Sequence, residues 1–333
     1  MNPEKKYMQR CLQLAANGLG STYPNPLVGC VIVLDDIIIG EGWHYKAGQP
    51  HAEVLAINHA KNQGFTAAHF ERAVLYVNLE PCSHHGKTPP CADLVINSGF
   101  KKVIIGTLDP HEKVAGNGVK KLNTAGIKTT VGILEAACNE VNKRFFMFHK
   151  KQRPYIVLKW AQTSDYFIAP LTNNEQKPVW ITNQYARQHA HKGRAQEHAI
   201  LIGANTAITD NPSLTTRNWR GADAQRFVIS NGNLPEYLRL FLHGTPATVI
   251  KQHEPETILQ ELAALGIQSV IIEGGAKTLQ AFIDHNLWDE AQQYSSSTVT
   301  FTDGIPAPLL TRNFERTARI FLKGNALNTY RNR

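Results

Sequence analysis

His51-Ala52-Glu53 and, further along, Glu80-Pro-Cys-Ser-His-His-Gly-Lys-Thr-Pro-Pro-Cys91 are the stretches whose reading decides the fold of the first half of this chain. From them His51, Cys82, Cys91 and Glu53 supply one imidazole, two thiols and a carboxylate. A catalytic zinc ion takes three protein ligands and keeps a fourth position for water, whose pKa falls to roughly 7. Where a nucleobase amine is hydrolysed, a His and two Cys hold the metal and a separate Glu carries protons. On this pattern His51, Cys82 and Cys91 are candidate Zn2+ ligands, and Glu53 is the candidate proton shuttle.

Each piece alone is ordinary. Cys30, inside the apolar run Leu27–Leu34, and Cys11 and Cys138, on expected helices, read as small buried hydrophobes. Cys82 and Cys91 differ because each follows a proline in a polar loop. Proline is favoured in a first helical turn, and Ala92–Gly99 reads as a helix closed by glycine. A thiol at a helix N-terminus is biased towards thiolate, the form a metal needs. His84 and His85 are rival ligands, but their glycine-rich surroundings suit substrate contact better. A structural zinc module would need four closed ligands, and Glu53 argues against one.

Outward from these motifs, helical and strand patterns alternate, which predicts a layered α/β sheet. Helices are expected at Glu4–Asn17, His51–Gln63, Asn117–Ala125 and Leu134–Met147, and strands at Val28–Leu34, Ile37–Gly42, Ala73–Asn78 and Lys102–Gly106. If His51 and Glu53 both lie on a helix, two residues apart, they approach the water from different sides of its first turn. The basic stretch His149–Pro154 suggests a boundary, giving domains 1–147 and 148–333. The second half alternates again: strands Tyr155–Trp160, His198–Gly203, Arg226–Ser230 and Ser269–Glu273, with helices Tyr185–Gln196, Ile258–Leu265 and Ala276–Asn286.

A chain of 333 residues with 42% hydrophobic residues can bury two ordinary cores. Five cysteines, an odd number, argue against a disulfide framework and for a cytoplasmic location. There is no apolar signal core and no run of ~18 apolar residues, so no membrane span is expected. The net charge of +8 is spread along the chain and lacks the basic stripe of a nucleic-acid protein. It fits anionic small molecules such as sugar phosphates.

In the second half, Ser269-Val-Ile-Ile-Glu-Gly-Gly-Ala-Lys-Thr-Leu279 is a strand, a tight Gly274-Gly275 turn and a helix start. Such a turn lets backbone N–H groups approach a phosphate. The G-x-G-x-x-G of a dinucleotide fold is missing. Arg194 and Arg217 are candidate phosphate clamps, and Asp210–Thr215 is a polar turn that either shapes a pocket or merely connects elements. No acid–base pair stands out, which suits hydride transfer, where a cofactor carries the chemistry.

Over nearly its whole length the chain resembles the bifunctional riboflavin-biosynthesis deaminase–reductase family. The resemblance rests on Pro24-Asn-Pro-Leu-Val-Gly29, His51-Ala-Glu53, Leu79–Cys91, Asp109-Pro110 and Val114-Ala-Gly-Asn-Gly118. The eight-residue gap between Cys82 and Cys91 is distinctive, because other zinc deaminases usually have Cys-x-x-Cys. The resemblance implies an N-terminal cytidine-deaminase-like three-layer α/β domain and a C-terminal dihydrofolate-reductase-like domain. It implies zinc-dependent loss of ammonia from position 2 of a 2,5-diamino-6-ribosylamino-pyrimidinone 5′-phosphate, then reduction of the ribosyl group to ribityl by NADPH. Asn25, His44, Lys87 and Asp109 match positions lining the deaminase pocket. Ala161, Trp180, Thr206, Asp210, Gly274 and Gly275 resemble NADPH contacts, and Lys159, Arg194, Leu214, Arg217 and Glu273 the substrate side. A homo-oligomer, dimer or tetramer, is expected.

The departures lie mostly in the second half. The family usually reads Ser-Leu-Asp-Gly where this chain has Thr163-Ser164-Asp165-Tyr166. Tyr in place of Gly removes an easy positive φ and threatens to crowd the cofactor. Pro178 replaces a Ser, and His111 stands where Asn is common. Asp289–Arg333 matches weakly, and Ser295-Ser-Ser-Thr-Val-Thr300 lacks an apolar strand pattern. These departures keep a second reading open: a deaminase with a degenerate, non-catalytic reductase-like half. A nucleic-acid base deaminase is disfavoured by the diffuse charge and the Cys spacing.

Overall fold

Gly29–Leu34 is buried at every position, as befits a strand covered on both faces. The computed structural model describes residues 3–84, 89–110, 115–172, 179–311 and 313–333. In it this strand, β1, follows helix α1 (Pro3–Ala16) and turns through Asp35 and Asp36 into β2 (Ile37–Trp43). Both aspartates have positive φ, 48° and 62°, as a two-residue hairpin turn requires. Next come α2 (Ala52–Asn62), α3 (Ala67–Arg72), β3 (Val74–Leu79), α4 (Cys91–Asn97) and β4 (Lys102–Thr107). Then α5 (Asn117–Thr124), β5 (Lys128–Val131), α6 (Glu135–Val141) and α7 (Lys143–Lys151) complete a first unit, Met1–Lys151.

The sheet runs β2-β1-β3-β4-β5, with β1 antiparallel to both neighbours and β3, β4 and β5 parallel. Because strand side chains alternate, Ile32, Leu75, Val77, Val103 and Ile105 pack against α2, α4 and α5. Val31, Val33, Tyr76 and Ile104 pack against α1 and Cys138 of α6. The result is three layers. Helix α2 lies close on β2 because Gly42 faces it: a Cβ there would stand 2.6 Å from Leu55 Cβ and 2.8 Å from the Ala56 nitrogen.

A single helix over Leu134–Met147 does not form. It breaks at Asn142 into α6 and α7, and α7 runs on to Lys151. The buried Asn142 side chain accepts from the Leu27 N–H at 2.8 Å and donates to the Leu27 carbonyl at 2.9 Å. A tertiary contact thus overrides local helical preference.

The second unit, Gln152–Arg333, contains β6 (Tyr155–Gln162), β7 (Phe167–Ala169), α8 (Gln184–Gln196), β8 (Ala199–Gly203), α9 (Ala204–Asp210) and β9 (Gln225–Ile229). It continues through α10 (Arg239–Leu242), β10 (Thr248–Ile250), α11 (Pro255–Ala264), β11 (Ser269–Ile272) and α12 (Ala276–Asp284). It ends with β12 (Glu290–Ser296), β13 (Ile305–Pro306), β14 (Phe314–Phe321) and β15 (Asn325–Asn332). Eight strands form one sheet, β10-β9-β8-β11-β6-β12-β15-β14, parallel as far as β12 and antiparallel beyond. Its core joins Leu158, Leu201, Phe227 and Ile272 to Leu259 and Leu262 of α11 and Phe282 and Ile283 of α12. Ala186 and Ala190 of α8 pack with Tyr294 and Leu327. No helix among the described residues is long and apolar enough to cross a membrane.

Two expectations from the sequence are corrected here. Of the stretch Ser295–Thr300, which lacks an apolar pattern, Ser295 and Ser296 nonetheless belong to β12, which pairs with β6 on one side and β15 on the other, while residues 297–300 are not strand. A polar ladder replaces apolar alternation: Gln293 donates to Gln162 at 3.1 Å and accepts from Asn328 at 3.1 Å and Tyr330 at 3.2 Å. Tyr166 does take a positive φ, 68°, with its side chain 70% exposed. Pro178 and His111 lie outside the described residues.

Candidate active sites

His51 is not in α2 but is its N-cap, with extended backbone (φ −73°, ψ 167°). That removes the difficulty of two side chains two residues apart on one helix: His51 stands before the first turn and Glu53 within it. Cys91 is the first residue of α4, after Pro90. The Cys91 N–H donates to Cys82 Sγ at 3.3 Å. His51 Nδ1 lies 3.2 Å from Cys91 Sγ and 3.7 Å from Cys82 Sγ, and the three donor atoms all lie within 4.8 Å of one another. One imidazole nitrogen and two sulfurs suit Zn2+. The two thiols titrate together: their mutual hydrogen bond draws Cys82 well down and drives Cys91 up.

Glu53 is 3% exposed. Burial pushes its carboxyl up, and the neighbouring Cys82 adds to this. His44 is equally buried, and its ring stands 5.2 Å from that of His51. The Asn25 amide donates to His44 Nε2 at 3.0 Å, so Nδ1 of His44 carries the proton given to the Pro50 carbonyl at 3.1 Å. Burial lowers the His44 pKa, consistent with this neutral form. Asn25, His44 and His51 are thus brought together through Asn25–His44 and His44–His51, and the Glu53 carboxylate acts on His51 electrostatically. Asp109 is half-buried just beyond β4, and its N–H reaches Glu80 Oε2 at 3.2 Å. Lys87 and His85 lie outside the described residues, and His84 is exposed.

Sequence reading missed the residues that hold this site from behind. Asn78 accepts from the Gly29 N–H at 2.7 Å and donates to the Leu27 carbonyl at 3.0 Å, which Asn142 also contacts. Two buried amides therefore fix the segment that carries Asn25. Buried Asn must be hydrogen-bonded, so an Asn inside the apolar run of β3 was the available signal.

In the second unit a cavity of about 990 Å³ opens at the C-terminal ends of β6, β8 and β11, where open α/β sheets place ligands. Lys159, Ala161, Trp180, Arg194, Thr206, Asp210, Leu214, Arg217, Glu273 and Gly275 all line it. Gly274 does not; it is jammed against β8, where a Cβ would stand 2.5 Å from Ile202 Cα. Tyr166 is not among the lining residues. Gly275 has φ 34°, and a Cβ there would stand 3.1 Å from Thr206 Oγ1, so this turn offers bare backbone to the cavity. Leu214, 3% exposed, also holds a positive φ, 55°.

Glu273 receives Arg194 in a bidentate pair, 2.7 Å at each oxygen, and Lys159 at 3.3 Å. Burial alone would raise its pKa, but Arg194 and Lys159 overcome it and hold the carboxyl well below the usual range. With Glu273 so engaged, positive charge is left over. The Arg217 pKa is lowered, first by burial and then by Arg194, Arg239 and Arg187. Arg187 and His191 went unnoticed in the sequence, although with Arg194 they repeat at helical spacing along the cavity face of α8. Arg187 lies over the Trp180 ring at 4.5 Å. His191 is 4% exposed, and its Nδ1 has no hydrogen-bond partner among the described residues. Burial, with Arg194 next, pushes its pKa down to about 4.

Comparison with known proteins gives a match in each unit. Residues 1–107 match the cytidine and deoxycytidylate deaminase zinc-binding region, and residues 154–300 match the RibD C-terminal domain. The riboflavin biosynthesis protein RibD of Aquifex aeolicus is 38% identical over 310 residues, covering 86% of this chain and 85% of that protein. The diaminohydroxyphosphoribosylaminopyrimidine deaminase/5-amino-6-(5-phosphoribosylamino)uracil reductase of Thermotoga maritima superposes with a TM-score of 0.88 at 35% identity over 99% of each chain. Acinetobacter baumannii RibD superposes with a TM-score of 0.89 at 32% identity, over 99% of this chain and 98% of that one. With one site of thiols and imidazole, another rich in guanidinium, and matches over both units, the chain belongs to the RibD family of bifunctional deaminase–reductases of riboflavin biosynthesis.

Proposed function

We propose that the first unit deaminates a 2,5-diamino-6-ribosylamino-pyrimidinone 5′-phosphate and that the second reduces the ribosyl group of the product to ribityl. The convergence of His51 Nδ1, Cys82 Sγ and Cys91 Sγ beside the buried Glu53 carries this reading. His51, Cys82 and Cys91 would hold zinc, which when bound supplies an activated water. Glu53, its proton affinity raised by burial, takes a proton and returns it to the departing amine as ammonia leaves. Asn25, His44 and Asp109 stand on the substrate side, and we assign Lys87 there as well. Neutral His44 orients the Asn25 amide.

In the second unit the residues fit NADPH. The bare Gly275 turn and the surplus guanidinium charge suit phosphates, and the half-exposed Trp180 face suits a ring. Ala161, Thr206 and Asp210 would line that part, with Gly274 shaping the turn from beneath. When bound, the dinucleotide supplies a hydride. Arg194, Arg217 and the Leu214 backbone would grip the substrate phosphate, while Glu273 holds Lys159 over the reacting end. We extend the proposal to a homo-oligomer working in the cytoplasm, supported by five free cysteines and by the open outer edge of β14.

The deciding experiment gives the purified zinc-loaded protein first the diamino substrate and then the deaminated one. Ammonia release and substrate-dependent NADPH oxidation are expected. Ammonia without oxidation would leave a deaminase carrying a reductase fold without its chemistry. That Tyr166 is exposed and does not line the cavity supports an active second unit.

A further inference from the structure

Glu80 has no task in the chemistry above, yet it is 4% exposed and fully engaged. Its N–H donates to the Thr107 carbonyl at 2.9 Å, where β3 and β4 part. Its carboxylate then reaches across to the β4–α5 connection. Oε2 accepts the N–H of Asp109 at 3.2 Å and of Gly116 at 2.9 Å; Oε1 accepts the N–H of Val119, in the first turn of α5, at 3.1 Å. Gly118 presses on the same spot: a Cβ there would stand 2.1 Å from the Pro81 carbonyl and 3.1 Å from Glu80 Oε1. A buried carboxylate persists only when hydrogen-bonded, and bonds to an ionised acceptor are about twice as strong as neutral ones. Three such bonds converge here, two from the β4–α5 connection and one from the first turn of α5. Two residues further along the chain is Cys82.

We propose that Glu80 is a positioning residue for deamination, its carboxylate locking the backbone of Asp109 to the segment that carries the ligand Cys82. Substrate-side carboxylate and ligand sulfur are then presented as one rigid piece. The inference rests on the reading of Asp109 as a substrate contact. Geometry of this kind matters because small misplacements of a binding group are costly to catalysis. Glu80 touches neither metal nor pyrimidine; it acts through Asp109.

The test is a double-mutant cycle in the full-length, zinc-loaded protein, with Glu80→Gln, Asp109→Asn and both together. Gln keeps the shape of Glu80 but loses the charge and turns an NH2 towards a backbone N–H. We expect Glu80→Gln to raise the KM for the diamino substrate on the order of tenfold, because an NH2 in place of Oε2 leaves the N–H groups of both Asp109 and Gly116 without their acceptor. Deaminase kcat, zinc content and NADPH oxidation by the second unit should stay near wild type. In the Asp109→Asn background Glu80→Gln should add nothing further. Loss of zinc in step with kcat, a lowered melting temperature with unchanged KM, or independent, multiplying effects would each overturn the inference. If Asp109→Asn itself leaves KM unchanged, the substrate role of Asp109 falls and the inference with it. If only Glu80→Gln is silent, Glu80 alone was misread. Glu80→Asp, which keeps the charge one methylene short, yields the same split should Gln fold poorly.

Discussion

Glu53 is a carboxyl group sealed beside two sulfurs, and its chemistry can be separated from metal binding. Glu53→Gln removes the proton carrier and leaves His51, Cys82 and Cys91 untouched. Ammonia release should fall by at least ~10²-fold, the usual scale for a positioned acid–base group, with zinc content unchanged. Cys82→Ala should instead lose zinc and lower the melting temperature of the first unit, since metal binding and folding are linked. Normal deamination by the first variant, or full metal retention by the second, would reject the role assigned. These four residues were legible because their types and spacing are local to the sequence. Asn78, Asn142 and Glu80 were not, because their partners are main-chain groups far along the chain: Asn142 meets Leu27 across 115 positions. No sequence pattern announces such a contact.

Among the elements, those with a clear apolar period were found close to their true bounds, including β1, β2, α2, α8 and β11. Those organised by neighbours were not. β12 carries Gln, Tyr and Ser where a strand pattern asks for Val or Ile, and only pairing with β6 and β15 makes it a strand. The turn between β6 and β7 shows the same limit. Tyr166 was expected to resist a positive φ, but the Thr163 carbonyl accepts its N–H at 3.2 Å and the Tyr166 carbonyl accepts the Ala307 N–H at 2.8 Å, holding it there. A left-handed non-glycine residue costs about 1–2 kcal/mol. Glycine relieves that cost but surrenders roughly 0.5–1 kcal/mol of backbone entropy. Tyr166→Gly should therefore stabilise the unit by at most ~1.5 kcal/mol. The KM for NADPH should be unchanged, and a several-fold change would show that the ring does reach the cofactor.

At the scale of the whole molecule, acid should reveal the second unit through His191. Its pKa is pushed to about 4 from an ordinary value of 6.5. Above pH 6.5 folded and unfolded chains bind the same number of protons there. Below it the unfolded chain takes up a proton that the native state refuses, and stability falls by up to ~1.4 kcal/mol per pH unit until about pH 4. Glu273, depressed below 4.5, extends the loss to lower pH as its pairing with Arg194 and Lys159 fails. Calorimetry from pH 7 to 4 should show the unfolding transition of the second unit falling, with a shallower slope in His191→Gln. An identical slope in that variant would reject the assignment.

Each of the two units carries its own main sheet, its own core and its own candidate site, and the chain passes from one unit to the other between Lys151 and Gln152. In genetic terms it is two cistrons' worth of chemistry under one start codon. On the proposed roles a lesion at Glu53 and a lesion at Glu273 fall on different steps, joined by a small molecule that can pass from one copy of the chain to another. Two alleles, each dead in a different half, are therefore expected to rescue one another in a single cell, whereas two alleles dead in the same half are not.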